Sequence, residues 1–483
     1  MRSEATNCSR GGDFPLLNEK EKKRRELMLS GSQFKAILTI SLPLVFYASV
    51  GQIFQLIDTF IAANMSANTI STVSFVNQLE KMLMAVASAL SISGGVMIAR
   101  SFGSGDMQKV RRQISTLFFS ALFIGGAILA LTIPLMYPIL RLLGMSEELL
   151  FKGTVYSSLV VVSVIFQFIN QIFFAVQKSR GSTKIIMWGN LLVLFIKTSL
   201  NITTIRLIEN GVFERENGIY FLPIASIAAH FALTIIALAK MTSKKNPFRL
   251  SLRETEFKKT FLAPLASLGV PVFLEKFIFA FGKAFVNSLC ATMGTTVVGA
   301  LGVSDRICGL STNPIGGFQE AESSLVSNNL GNKNVKRAIS FFYRTTLLTM
   351  SYVVVFFIIL CIFRTAIINA FAKGNASFAR EIDLIYYWER LDTILIALNV
   401  SVMGLLYGFG KTKITMILNT ARLFVYRIPV LLLFMKVPSL REALGISGVG
   451  IAMCVSNGLT GLTAGVVAFF FIRREMKRVE VRS

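Results

Sequence analysis

Apolar residues run along this chain in blocks too long to be the buried stripe of a surface helix. Twelve such blocks, at about 34–62, 70–99, 113–140, 150–176, 183–208, 218–240, 262–292, 298–328, 337–363, 381–410, 412–436 and 447–472, alternate with short polar stretches. A helix needs about 20 apolar residues to cross a bilayer. Each block therefore predicts a membrane-spanning helix, and the chain predicts an all-α integral membrane protein. Several blocks exceed the minimum, which implies tilt or ends that reach the headgroups. Composition agrees: 53% of the 483 residues are hydrophobic and 16% are charged, too few charges to clothe a soluble protein of this size.

The blocks also repeat. "GSTKIIMWGN" at 181–190 and "GKTKITMILN" at 410–419 agree at six of ten positions, 229 residues apart. Pro43 and Pro271 are 228 apart, as are Asn77-Gln78 and Asp305-Arg306, and the loops "VRRQIS" and "VKRAIS" are 225 apart. Spans 1–6 and 7–12 thus read as two copies of one unit. Six is even, so both copies enter the membrane the same way round and a pseudo-two-fold lies along the membrane normal. The expected organisation is a basic cytoplasmic tail (1–33), an N-lobe (34–240), a cytoplasmic linker (241–260), a C-lobe (261–472) and a C-terminal tail (473–483). Two such lobes suit rocking about a site between them. Pro43 and Pro271 would serve as flex points, since each removes a helical hydrogen bond.

The net charge of +24 raises the question of nucleic acid. Lys and Arg are instead spread over the tails and the loops on one side, the pattern that places both termini in the cytoplasm; a nucleic-acid partner is not expected. The run "NEKEKKRREL" reads as an orientation signal, or a contact with anionic lipid. Residues 1–33 hold no apolar core of a signal peptide. Five scattered cysteines show neither a disulfide framework nor metal spacing. The one histidine, His230, lies in an apolar span, and no nucleophile–base constellation accompanies it, so an enzyme is not expected. "GFGKT" near 408–412 lacks the first glycine of a phosphate-binding loop and joins two membrane helices.

Span 1, "LPLVFYASVGQIFQLIDTFIAANM", followed by "GGVMIARSFGSGD", resembles the multidrug and toxic compound extrusion (MATE) family. "VPVFLEKFIFAFGKAFV", "GALGVSDRI" and "LGNKNVKRA" resemble that family's second lobe. The resemblance covers nearly the whole chain after residue 34. It implies a secondary antiporter that exports organic, often cationic, amphipathic compounds in exchange for Na⁺ or H⁺.

Ionisable residues inside a membrane are costly and mark function or pairing. On a helix, Ser49, Gln52, Gln55, Asp58 and Thr59 share one half of the circumference, and the resemblance places Asp58 at the family's ion-coupling acid. Asn201 fits the family's N-lobe asparagine. Ile205 stands where the partner acid is expected, with Lys197 one turn before Asn201, so an Asp58–Lys197 pair is expected in one state. Glu275 matches a span-7 glutamate of sodium-coupled relatives and shares a helical face with Lys276, Lys283 and Asn287, beside Asp305 and Arg306 on span 8. These form either a coupling site or an internal ion-pair network. Asp392 and Arg390 resemble a further polar region of the family, in poor register. Glu320 and Glu322, two apart, point to opposite sides. No cofactor or resident metal is expected, only transient Na⁺ at Asp58 or Glu275.

The sequence therefore predicts a monomeric, multi-pass antiporter of the plasma or bacterial inner membrane. An inward-facing cavity between its lobes would take a small-molecule substrate. Two alternatives remain open at this point: a flippase for lipid-linked saccharide, of related two-lobe architecture, and a non-transporting membrane scaffold.

Overall fold

The structure is a computed structural model. It describes the backbone of residues 17–65, 67–142, 145, 147–212, 217–372 and 374–481, and the side chains of these except 55–75, 142, 148, 149, 217, 218 and 295. The described residues are almost entirely helical. A short α1 (Glu19–Leu29) precedes α2 (Gln33–Met65), α3 (Ala67–Ser104), α4 (Met107–Thr132), α5 (Met136–Leu142), α6 (Glu147–Ser179), α7 (Thr183–Glu209) and α8 (Phe221–Thr242). The second lobe holds α9 (Lys259–Ala291), α10 (Thr295–Thr312), α11 (Ile315–Gly331), α12 (Val335–Ile362), α13 (Arg364–Ala372), α14 (Ala376–Glu389), α15 (Thr393–Gly408), α16 (Thr412–Ala421), α17 (Ile428–Lys436), α18 (Pro438–Leu444) and α19 (Ser447–Glu480).

Among the described residues, eleven helical stretches are long and apolar enough to cross a membrane. The twelfth is the α10–α11 pair, expected as one helix at 298–328 but broken at Asn313-Pro314. Pro314 caps α11, and its missing N–H ends the hydrogen-bond ladder of α10. Pro43 and Pro271, by contrast, lie inside continuous helices. Two more spans are irregular. A 3₁₀ turn at Arg390–Asp392 joins α14 to α15, and a π-helical segment at Arg422–Arg427 joins α16 to α17. Phe123, Phe195, Leu347, Phe469 and Phe470 stand exposed, a surface that lipid would cover.

The internal symmetry is visible in one reciprocal contact between α3 and α11. A β-carbon on Gly103 would lie 2.0 Å from the Asn328 carbonyl oxygen, and one on Gly331 would lie 2.0 Å from that of Arg100. Gly331 follows Gly103 by 228 positions, and Asn328 follows Arg100 by the same number. The two helices therefore cross on the pseudo-two-fold, at a backbone separation that only glycine permits.

This crossing lies at the end of the molecule that carries α1 and the last turns of α19, and there the lobes are fused. One continuous core joins Ile37, Ile114 and Phe173 of the N-lobe to Leu325, Phe341 and Leu405 of the C-lobe. The Arg100 guanidinium donates to the Gly408 carbonyl at 3.2 Å, and Asn328 Nδ2 donates to the Ser179 carbonyl at 3.0 Å. At the far end each lobe has its own core, around Val76, Met136 and Tyr156 in one and Val286, Ile385 and Tyr386 in the other. A cavity open on the terminus side was expected; the structure closes that side.

The segment before α2 is more than a charged tail. Helix α1 buries Met28 and pairs Glu21 with Arg180. Its Arg25 donates to the carbonyls of Phe102 and Gly103 at 3.0 and 2.9 Å. Burial pulls the Arg180 guanidinium down to about 10, so it stays cationic at neutral pH and can hold Glu21. The linker after α8 is also anchored, with Arg111 and Arg112 bridging Glu254 and Glu256 at 2.8 and 2.9 Å.

Candidate functional site

Between the lobes lies a cavity of about 230 Å³, lined by Ser88 and Ser91 of α3, Gln171 and Lys178 of α6, Lys276 of α9, Gln319 and Glu320 of α11, and Tyr407 of α15. A second cavity, of about 300 Å³, extends into the N-lobe against Tyr47, Gln167, Asn170, Asn190 and His230. Gln171, Lys178, Gly316 and Glu320 belong to both. The partition is therefore the ion pair of Lys178 with Glu320, 3.1 Å long, which joins α6 to α11 across the lobe boundary. The break before α11 turns this helix so that Asn313 and Gly316 also face the N-lobe cavity.

Glu275 sits just behind the wall of the first cavity and is 1% exposed. Its Oε1 accepts from the Tyr407 hydroxyl at 2.6 Å and from Asn419 Nδ2 at 2.8 Å, with Lys276 Nζ at 3.2 Å. Its Oε2 is buried without a partner. A buried carboxylate oxygen left bare is costly, and a proton or a small cation would satisfy it.

A second cluster fills the far half of the C-lobe. Lys283 Nζ pairs with Asp305 at 3.1 Å. The Ser304 hydroxyl donates to Glu389, which interacts with Asp305. Asp392 Oδ2 accepts from Asn457 Nδ2 at 2.7 Å, and Asn457 Oδ1 accepts from Arg422 and Arg427, both at 2.7 Å. On an α-helix residues five apart point about 140° away from each other. The π-helical segment brings Arg422 and Arg427 to the same acceptor, as i to i+5 geometry allows.

The sequence-derived set thus divides. Lys283, Asp305 and Asp392 share one cluster; Glu275 belongs to another, on the same helix two turns away. Asn287 is exposed and takes no place in the Glu275 cluster. Gln52 reaches across to α10, its Oε1 lying 3.3 Å from where a β-carbon on Gly309 would be. Asn201 is buried on α7, and Lys197 is half-buried with His230 in electrostatic reach; each holds interactions in the structure. The side chains of Gln55 and Asp58 lie outside the described residues, and with them the expected Asp58–Lys197 pair. Arg390 turns away from the acids and stacks on Tyr387, 4.9 Å from the ring centre. Sequence reasoning missed Glu389, Asn457 and Tyr407. The asparagine that ends each decapeptide was expected to hydrogen-bond between helices, and Asn419 does so, to Glu275. Among the described residues no cluster has the makings of a metal site.

Two pseudo-symmetric helical lobes, fused at one end around a polar cavity, define a two-lobed membrane transporter. The MatE family profile matches residues 43–203 and 271–433, one copy in each lobe, and the chain belongs to that family. It is 23% identical over 445 residues to the probable multidrug resistance protein NorM of Thermotoga maritima, covering 92% of this chain and 91% of that one. Its fold is that of a MATE crystallised with MaL6, with a TM-score of 0.86 over 94% of this chain and 99% of the other at 17% identity. A transporter of the MOP superfamily from Pyrococcus furiosus, described as having a binding pocket of reversed polarity, gives a TM-score of 0.85 over 93% and 98% at 17% identity.

Proposed function

We propose that this protein is a secondary active antiporter that exports amphipathic organic compounds in exchange for Na⁺ or H⁺ by alternating access. The observation that carries the reading is Glu275, a buried carboxyl with one unsatisfied oxygen, whose partner Tyr407 forms part of the cavity wall. Taking up a cation or proton at Oε2 changes the charge behind Tyr407 and Lys276. That change can alter how the cavity holds its cargo without direct contact between ion and substrate. Asp58 is the second candidate for coupling, on the strength of the family resemblance. Export of drug-like compounds is supported by the name of the Thermotoga relative. The multi-pass protein would work as a monomer in the cell membrane with both termini cytoplasmic, as the asymmetry of Lys and Arg supports. Ion binding from outside would favour return toward the cytoplasm and displace substrate outward.

The test uses proteoliposomes with Na⁺ and pH gradients imposed separately, comparing the wild type with Glu275→Gln and Asp58→Asn. Efflux driven by one gradient and lost in Glu275→Gln, with the protein correctly inserted, is the expected result. Efflux that ignores both gradients would end the antiporter reading. Gradient-driven efflux unchanged in Glu275→Gln would remove Glu275 from it.

A further inference from the structure

From the contacts of α1 we infer that Asn329 and Arg337 of the C-lobe gate the α1 end of the cleft by clasping the C-terminus of that helix; this deepens the alternating-access reading above by naming bonds that break in each cycle. Helix α1 stops at Leu29, so its last carbonyls have no partner within the helix. Ser30 and Gly31 turn their N–H groups back onto the Glu26 carbonyl, which leaves the Met28 and Gly31 carbonyls to bond elsewhere. The C-lobe supplies both donors. Asn329 Nδ2 of α11 donates to the Met28 carbonyl at 3.2 Å, and Arg337 of α12 donates to the Gly31 carbonyl at 2.5 Å. A helix C-terminus favours a cation. Helix α1 has no basic residue in its own last turn, so the positive charge comes from the other lobe. The Phe341 ring braces Arg337 there, its centre 5.2 Å from the guanidinium carbon. At the start of α2, the Gln33 side chain accepts from the Ser340 hydroxyl at 2.8 Å.

The rest of α1 belongs to the N-lobe. Arg25 holds the Phe102 and Gly103 carbonyls, Glu21 pairs with Arg180, and Met28 packs over Gly181. These partners lie on α3 and on the turn between α6 and α7, and α1 runs directly into α2. The helix therefore travels with the N-lobe, and its bonds to Asn329, Arg337 and Ser340 are the ones that rocking of the lobes has to break. The segment leading into the second lobe is held differently. Arg112 of α4, the counterpart of Arg337, bridges Glu256 in the linker before α9, and Ser115 and Thr116 accept from the linker amides of Ser251 and Glu256. That linker lies on the N-lobe and can follow it through the non-helical residues 257–258 with these bonds intact. The α1 clasp has no such slack. With Arg25 on Gly103 and Asn329 beside Asn328, it sits at the α3–α11 crossing that an opening at this end must separate.

The experiment measures how far the lobes stand apart at this end. Spin labels are attached at Lys109→Cys and Asn332→Cys, both exposed positions on opposite lobes. The chain is full-length with its five native cysteines replaced by alanine, and double electron–electron resonance reads the distances in proteoliposomes. The short distance should predominate without further changes. Arg337→Gln should raise the ratio of long to short distances by about tenfold, the effect of roughly 1.4 kcal/mol, and Asn329→Ala should act in the same direction. Arg112→Gln, which loosens only the linker, should leave the distances unchanged and so separates loss of the clasp from general loosening. A long distance before any clasp variant is made, no change in Arg337→Gln, or the same change in Arg112→Gln would each overturn the inference. A second arm fixes the clasp shut, with Gln33→Cys and Ser340→Cys joined by a short bis-maleimide. Gradient-driven export of rhodamine 6G should then stop, and export at the rate seen before cross-linking would overturn the clasp. The distances decide the clasp whether or not the dye is cargo. Wider distances in Arg337→Gln, in a protein that moves no dye under either gradient, would uphold the clasp and count against the antiporter.

Discussion

The same three positions do different work in the two lobes. In the C-lobe, Glu275 is gripped by Tyr407 and Asn419. One repeat earlier, at offsets of 228, 229 and 229, stand Tyr47, Lys178 and Asn190, and all three line the N-lobe cavity. Where one lobe fills the corner with a carboxyl held by one oxygen, the other leaves it hollow. The far half differs more sharply. Glu389, Arg422 and Asn457 correspond, 229 residues back, to Val160, Val193 and Ala228, and Asp392 to Ser163. Val160 and Val193 are buried in apolar cores, and Ser163 bonds within its own helix to the Val160 carbonyl at 2.8 Å. Among the described residues, the duplicated fold has therefore concentrated buried charge in the copy whose helices leave regular geometry. Helix packing is insensitive to which lobe holds the charge, provided that every buried charge finds a partner.

The largest effect should come from removing one base from the charged interior. Arg427 is 3% exposed, donates to Ser456 and Asn457, and balances Asp392, Glu389 and Asp305. Arg427→Met removes one of the two buried guanidiniums that face those acids and should cost about 3–5 kcal/mol, seen as a large fall in the thermal unfolding midpoint in detergent. Thr198→Ala, at the matching N-lobe position, should change stability by less than about 0.5 kcal/mol. Equal losses in the two variants would break the contrast between the lobes.

Next comes the Glu275 corner. Tyr407→Phe deletes one hydrogen bond to a buried carboxyl, worth about 1–3 kcal/mol, whereas Tyr47→Phe in the hollow N-lobe corner should cost less than about 1 kcal/mol. Paired thermal melts decide it, and a larger loss in Tyr47→Phe would mean that the N-lobe hydroxyl is the structural one.

The symmetric crossing should respond equally from either side. Gly103→Ala and Gly331→Ala each place a methyl group against a carbonyl oxygen of the other lobe. Overpacking of this kind costs about 1–3 kcal/mol, and the lobes would separate at the terminus end. Hydrogen exchange at amides 324–331 should quicken in both variants. Exchange that quickens in only one would show that the crossing is not a true two-fold contact.

Much of this was legible in the sequence, for physical reasons that can be named. Apolar runs of bilayer length have few folded alternatives, and a repeat at constant offset fixes which helices correspond. Glu275 stood out because a carboxylate in the middle of an apolar span needs an explanation. What the sequence hid lies where the helices leave regular geometry. The poor register around Asp392 comes from the 3₁₀ turn at Arg390–Asp392, and Glu389 was missed because regular periodicity does not bring it to Asp305. The π-helical segment likewise places Arg422 and Arg427 together against α-helical expectation. Helix α1 was read as a basic run because Arg25 docks on backbone carbonyls, which leave no pattern in side chains, and Glu21 meets Arg180 from far along the chain.

The smallest effect tests how the two lobes are joined. Position 407 of the C-lobe is a tyrosine that serves its own lobe's Glu275, while Lys178, its N-lobe counterpart, reaches Glu320 of the other lobe. Lys178 also carries a backbone link, since the Ser324 hydroxyl donates to its carbonyl at 2.8 Å, and that link survives any change of side chain. With side chains 15% and 47% exposed, the ion pair is partly screened and should contribute only about 0.2–1 kcal/mol. A double-mutant cycle of Lys178→Met and Glu320→Gln, read by thermal unfolding, isolates that coupling. A value in this range would fit a partition between the two cavities that can open without unfolding either lobe. Coupling above about 3 kcal/mol, the scale of a buried pair, would instead make the bridge a structural bolt, and the two cavities would be separate chambers.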